Sequence, residues 1–348
     1  MTDATPRSTL ARSVLDNARR HWKRWLLGAA VAIWVGAVMT QAGAGTLIAL
    51  WYAALYTGAL ALITIPVRTL SFVRLLAFFA LGAGTIGIAV LAGAGFATLF
   101  GTKASAARSL GIPVVEEILK LLPVLWVLAW QRRGRARGLG ATDVLLLAAF
   151  SGAGFYWVEE AFILHHHTSW GFLGRIPTTD VEGNHMIASH AVWSTIAGAT
   201  IGIARSLGLP QWPRCVIAVS GYLWSSLDHA ANNYGANFSD AFAGALRYVT
   251  GNGHHSLTIV ALLLVAAMAL DAWYAYVKAP RVLRPTSVAR PSSLAGVDRW
   301  WREVRMRRQG AYAAPRLDAV PAKVRDRFAG IAAMAASAAR GAPHAAGR

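Results

Sequence analysis

Four short stretches of the chain set ionisable residues among neighbours that are almost all apolar or small: Pro113-Val114-Val115-Glu116-Glu117-Ile118-Leu119-Lys120, Gly152-Ala153-Gly154-Phe155-Tyr156-Trp157-Val158-Glu159-Glu160, Ser189-His190, and Asp228-His229-Ala230-Ala231-Asn232-Asn233. A charged side chain near mid-bilayer costs ~2.5–3.5 kcal/mol even on a lenient insertion scale, so such residues are functional candidates wherever the segment is membrane-spanning. Their spacings make chemical sense. Lys120 lies i+4 from Glu116 and i+3 from Glu117, so on a helix it neutralises one carboxylate while the other points elsewhere and is left as a surplus acid able to act as a base. His229 and Asn233 are i, i+4 on one helical face, a pair of donors suited to an oxygen that gains negative charge. Pro123, three residues after Lys120, removes an intrahelical hydrogen bond near this set. The plainer alternative is a structural network: an ion pair at Lys120, a helix-bridging hydrogen bond at His190, and an interfacial cap at Asp228.

The elements that must carry these residues follow from composition. Of 348 residues, 55% are hydrophobic and 14% charged, against roughly 25% charged in a soluble domain. With 14 Trp and a mean hydropathy of +0.43, the chain reads as an all-α, polytopic membrane bundle. Eight apolar runs have spanning length, at about 25–42, 46–66, 75–100, 112–130, 144–164, 186–205, 213–233 and 256–277. Every second connection is basic: the first 24 residues, then Arg68 and Arg74, then Arg132, Arg133, Arg135 and Arg137, then Arg205 and Arg214. From Lys278 onward 15 Lys and Arg face 4 acids, a net of 15 − 4 = +11. The positive-inside rule therefore places both termini in the cytoplasm of a multi-pass cell-membrane protein. Three regions result: a basic N-terminal segment (1–24), a membrane domain (25–277), and a basic cytoplasmic tail (278–348). Within the tail, residues 294–309 suit a helix lying on anionic lipids, with a disordered basic anchor as the alternative. The net charge of +18 thus points to lipid and topology, with no nucleic-acid partner.

Several chemistries are excluded or weakened. Cys215 is the only cysteine, so there is no intrachain disulfide and no cysteine-held metal. No His-Glu-x-x-His or Gly-x-Gly-Asp occurs, and no membrane serine sits in a Gly-x-Ser setting. Gly82-Ala83-Gly84-Thr85-Ile86-Gly87 matches a dinucleotide fingerprint in spacing alone, because it lies inside an apolar run and not at a strand-to-helix turn; close helix packing explains it, as it explains Gly198 and Gly202. His165, His166, His167, His254 and His255 read as solvated loop residues.

Topology then brings the candidates to one depth. Glu116 and His190 fall about one turn after the outer ends of their spans, and Glu159 and His229 about one turn before theirs, so all four lie ~6–8 Å below the extracytoplasmic boundary. In this order, Glu116-Glu117-x-x-Lys120, Gly152-Ala153-Gly154-Phe155 with Glu159, His190 with Ser194 and Gly198, and His229-x-x-x-Asn233 resemble the PrsW family of glutamic-type intramembrane proteases, relatives of the CAAX prenyl endopeptidases and bacteriocin-processing enzymes. The resemblance covers about 110–235. It departs at Glu160, where the family usually has Asn, and at the Ala-Ala-Asn before Asn233, where an aromatic is common.

The resemblance implies peptide hydrolysis in the membrane by glutamate-activated water. Glu116 would be the general base, with Glu117 orienting the water or taking that role. His190 would hold the water and protonate the leaving amine, and His229 and Asn233 would bind the oxyanion. Glu159 would orient a histidine, Lys120 would pair with a glutamate, and Glu160 would adjust the site. The preferred form uses no cofactor, while zinc stays open because Glu and His are also zinc ligands. The implied partner is a membrane-tethered protein substrate such as an anti-sigma factor, with anionic lipids at the tail. Two other readings compete: an ion- or proton-coupled transporter, disfavoured by the apolar inner halves of the spans, and a catalytically silent scaffold.

Overall fold

The computed structural model describes residues 47, 49–100, 106–132, 138–164, 181–182, 185–186 and 189–274. Nine α-helices account for nearly all of them: α1 (Ala49–Ile63), α2 (Phe72–Gly84), α3 (Ile86–Phe100), α4 (Ala106–Arg132), α5 (Ala141–Val158), α6 (His190–Ser206), α7 (Gln211–Asn237), α8 (Ala241–Thr250) and α9 (His254–Ala272). A π-helical turn, Glu159–Leu164, extends α5, and a two-residue antiparallel pairing sets Val181 opposite Met186 and Glu182 opposite His185. The all-α expectation holds. Three helical stretches, Phe72–Leu99, Ala141–Ala161 and Ala241–Ala272, are long and apolar enough to cross a membrane. The apolar runs at 25–42 and the tail, with the helix expected at 294–309, lie outside the described residues, as do His165, His166 and His167.

The bundle is organised around α5. All of its 18 residues are buried, so it has no polar face and must be enclosed by other helices. Small residues let α2 and α6 approach its backbone closely. A Cβ at Gly198 would stand 2.2 Å from the Ala148 methyl, and one at Gly202 would stand 2.5 Å from the Ala141 carbonyl oxygen. On the other side Gly82 abuts the Ser151 carbonyl, which confirms close packing for that glycine. The lipid-facing rim is opposite in character: Leu62, Val73, Leu91, Trp126, Trp212 and Leu262 are exposed apolar side chains.

The first turn of α5 leaves amide hydrogens without intrahelical partners, and two buried aspartates supply acceptors. Asp271 of α9 accepts from the amides of Ala141 and Thr142, both at 2.8 Å. Asp143 accepts from the Gly140 amide (3.1 Å), the Thr69 amide (2.7 Å) and the Thr69 hydroxyl (2.6 Å), which ties the connection between α1 and α2 to this end of the bundle. Arg68, Arg74, Arg205 and Arg214 flank helix ends on this same side.

Two boundaries differ from the sequence expectation. The run 75–100 is interrupted at Thr85, a tightened turn where both the backbone amide (3.0 Å) and the hydroxyl (2.6 Å) donate to the Gly82 carbonyl. The stretch 234–255, read as a loop, contains α8, which Asp240 caps by accepting from the Ala243 amide at 2.8 Å. That amide bond holds the Asp240 carboxyl below its usual range. His254 and His255 accordingly open α9, with His255 exposed and its Nδ1 3.0 Å from the Val249 carbonyl oxygen.

Candidate active site

At the far end of α5 the four motif-bearing segments meet. Lys120 and Glu117, one turn apart on α4, form a fully buried ion pair, and the Lys120 Nζ also stands 2.5 Å from Nδ1 of His190. An ammonium can only donate, so His190 accepts at Nδ1 and its proton belongs on Nε2. That nitrogen meets the Glu159 carboxylate at the start of the π turn. A single π turn inserted at a helix end is a common feature of functional sites, and here it sets Glu159 against the first residue of α6.

The second imidazole is fixed in the same way. Nδ1 of His229 lies 3.0 Å from Glu117 Oε1, an acceptor-only group, so Nδ1 carries the proton and donates. The Nε2 lone pair then faces Glu116 Oε2 at 3.6 Å and the Asn233 amide at 3.4 Å, one turn along α7. A fully buried carboxylate thus sets the tautomer of His229, and a buried lysine sets that of His190.

Aromatic packing holds both rings. Trp193 stacks on His229 with ring centroids 4.2 Å apart and planes 14° from parallel. Phe155 of the Gly152-Ala153-Gly154-Phe155 run packs edge-on against His190 at 5.0 Å and lies 4.9 Å from the Lys120 Nζ. The glycines of that run explain its composition. A Cβ at Gly152 would stand 2.5 Å from the His190 carbonyl oxygen, and one at Gly154 would stand 1.9 Å from that of Phe79.

Asp228 is buried and does not serve as an interfacial cap. It accepts from the Trp193 indole N–H (2.8 Å) and the Ser256 hydroxyl (2.5 Å), joining α6, α7 and α9 behind the stacked histidine. Neither Trp193 nor Ser256 was singled out from the sequence; a polar residue next to a motif histidine is the only signal that pointed there. Pro123 does not open α4, which runs unbroken through both Pro113 and Pro123. Ser151 donates to the Lys120 carbonyl at 2.7 Å, on the turn that the proline weakens.

A cavity of about 650 Å³ opens onto the cluster. Its walls are Ala89, Gly93 and Ala94 of α3 and Arg108 and Ile112 of α4; Glu116, Glu159 and Asn233 face it, while Glu117 and Lys120 are sealed behind them. Glu160 is the next residue of the π turn and is half-buried. Glu116, His190 and His229 each offer a ligand atom, all within 4.8 Å of one another, as a metal ion would require.

A family model described as PrsW family intramembrane metalloprotease matches residues 71–268, more than half of the chain. The chain belongs to the PrsW family. The match takes in every site residue and extends beyond the 110–235 covered by the sequence resemblance. PrsW membership makes the chain a membrane protein of an intramembrane protease family, and the word metalloprotease bears on the zinc alternative that the sequence left open. No curated protein and no solved structure matches the chain.

Proposed function

We propose that the protein is a multi-pass cell-membrane endopeptidase that hydrolyses peptide bonds of membrane-tethered polypeptides with water activated at Glu116. The observation that carries this reading is that Glu116 and Glu159 face the cavity of a PrsW protein while Glu117 and Lys120 are enclosed behind them.

The donor set fits a divalent cation. Glu116, Glu117 and Glu159 surround Lys120 and two histidines, and 3 − 1 leaves two formal negative charges in a poorly solvated place. His229 through Nε2 and Glu116 through a carboxylate oxygen would hold the ion, His190 would join them once its Nε2 proton has passed to Glu159, and Glu117 would orient His229 through its remote nitrogen, a recurrent arrangement around metal-binding histidines. When bound, the ion supplies Lewis acidity to the peptide carbonyl and to water.

The chain's own residues divide the remaining work. Glu116 takes the proton of the attacking water at the cavity surface. Glu117 keeps a proton on Nδ1 of His229, so that Nε2 stays directed at the reacting centre. Glu116 then returns the water's proton to the leaving amine, while Glu159, at the cavity edge, holds the His190 ring. The Asn233 amide, beside His229, donates to the oxygen that becomes negative. Lys120 keeps Glu117 ionised and in place.

Helix lengths together with the positive-inside rule support the side of the membrane. From Ala141 to Glu159, Glu116 to Arg132, His190 to Arg205 and Arg214 to His229, the rise is ~22–27 Å at ~1.5 Å per residue. The cluster therefore lies nearly a full ~30 Å hydrocarbon thickness from the arginine-bearing end, which supports cleavage near the extracytoplasmic boundary of an eight-span protein with cytoplasmic termini. An anti-sigma factor is a substrate of the implied kind. Transport fits less well, because the inner end of α5 holds Asp143 and Asp271 against fixed backbone amides and the Thr69 hydroxyl.

The test compares labelled new N-termini in membranes from cells expressing the native protein or Glu116→Gln at matched levels, with zinc counted in both purified proteins. Termini that disappear in the variant and map near the outer boundary are the expected result. An unchanged set of termini would remove the protease reading, and full activity in metal-free protein would remove the cation from it.

A further inference from the structure

A second cavity, of about 690 Å³, lies on the other flank of α4, between it, α6 and α7. It is separate from the catalytic cavity: Tyr222 donates its hydroxyl to the Val114 carbonyl at 2.9 Å and closes the end nearer the site. Below Tyr222 the walls are Leu121, Leu125 and Leu128 of α4 facing Val219 of α7. At the opposite end stand Arg205, the last basic residue of α6, and Arg214, in the first turn of α7. No acidic residue lines the groove among the described residues.

We infer that this groove binds one anionic phospholipid, its phosphate at Arg205 and Arg214 and one acyl chain along Leu128, Leu125 and Leu121 toward Tyr222. Three observations fit that occupant. First, the charge distribution is amphipathic in the lipid's own sense, with cations at one end of an otherwise apolar slot. Second, the length is right: from Leu128 to Ile118 the groove rises ~15 Å, half of a ~30 Å hydrocarbon core and so about the length that one acyl chain of a leaflet spans. Third, the slot is aliphatic along its length, with Leu121, Leu125 and Leu128 set against Ala218 and Val219, the surface on which an acyl chain packs. The arginines also lie at the basic end of the bundle, where the positive-inside rule places the leaflet with anionic headgroups. The lipid would wedge α4 against α7, the two helices that carry Glu116, Glu117, His229 and Asn233.

Native mass spectrometry of the full chain, released from nanodiscs of equal phosphatidylglycerol and phosphatidylcholine, reads this directly. The basic tail contributes non-specific anionic lipid, so the comparison is between variants that all keep it. The native protein is expected to retain one tightly held phosphatidylglycerol with at least a tenfold preference over phosphatidylcholine. Arg205→Gln with Arg214→Gln brings that ratio to about one. Arg214→Gln alone, at an exposed position, lowers it about threefold and guards against a misfolded double variant. Val219→Trp, which fills the slot from a half-exposed position, removes the retained lipid while leaving the arginines. A preference unchanged in all three variants would overturn the inference, as would a groove occupied by a second copy of the chain or by a peptide.

Discussion

The two ends of α5 both bury carboxylates, and the way each is satisfied separates architecture from chemistry. At the N-terminal end, Asp143 and Asp271 accept from amides that the helix leaves open and from Thr69, partners that are fixed in place and cannot titrate. An anion there also has the helix dipole in its favour. At the C-terminal end, Glu159 sits where the dipole disfavours an anion, and its partner is an imidazole whose other nitrogen meets a lysine. Glu116 faces a second imidazole across 3.6 Å and opens onto a cavity. Burial of charge is common to both ends. Among the described residues, titratable side-chain partners, an unfavourable dipole and an open volume come together at the second end, which under the proposed function is the reactive one.

The most severe test of that contrast is Glu116→Gln. It is expected to lower cleavage on the order of a thousandfold, equivalent to ~4 kcal/mol, because the proton acceptor at the cavity surface is gone. The melting temperature in detergent should stay within a few degrees, since Gln fills the same space. A large fall in stability with proportionate loss of activity would show instead that Glu116 is architectural, like Asp143.

The mirror-image test is Asp143→Ala. Removing this carboxylate strands the Thr69 amide and hydroxyl and the Gly140 amide in a buried place, and should destabilise the protein by about 3 kcal/mol. Cleavage per folded molecule should not change. If Asp143→Ala unfolds at the native temperature but loses turnover, the division between the two ends fails and a polar path along α5 must be sought.

The contrast also explains what sequence could reveal. Glu116, Glu117, Lys120, Glu159, His190, His229 and Asn233 were legible because charge inside an apolar run is rare enough to stand out, and regular helical rise brings them to one depth. That Lys120 pairs with a glutamate and Glu159 with a histidine was legible too, but which partner each takes was not. Whether Glu117 or Glu116 faces the cavity depends on how α4 is rotated against α6 and α7, which spacing along one helix does not specify. Asp143 lies just before the run 144–164, where an acid looks like an ordinary boundary residue, and Asp271 lies inside the run 256–277 without a second polar residue beside it, so their burial was missed. The helix α8 was lost because ten residues of mixed polarity between Asp240 and Gly251 lack spanning length. The break at Thr85 leaves the apolar run intact and so has no hydropathy signal.

The roles of the two adjacent glutamates can be sharpened with Glu117→Gln. A Gln amide can turn its nitrogen toward His229 and present a donor to a donor, so the imidazole loses its fixed tautomer while Lys120 loses its counter-ion. Zinc affinity and cleavage should each fall about 10- to 100-fold, the range for outer-shell partners of metal ligands. Zinc binding measured by competition with a chelator separates this role from that of a second base, which would lose turnover while holding the metal as tightly as the native protein.

The smallest expected effect lies one layer further out. Trp193→Phe keeps a ring against His229 but removes the indole N–H that Asp228 accepts, leaving that carboxylate the Ser256 and Thr250 hydroxyls. The loss should be about 1 kcal/mol of stability and several-fold in turnover, because His229 keeps its bond to Glu117. Adding Ser256→Ala removes a second donor from the buried Asp228 and should cost more than the sum of the two single changes, since both bonds converge on one carboxylate oxygen. A strictly additive pair would mean that Asp228 is solvated from another direction, and that the layer behind His229 is packing and not a positioning network.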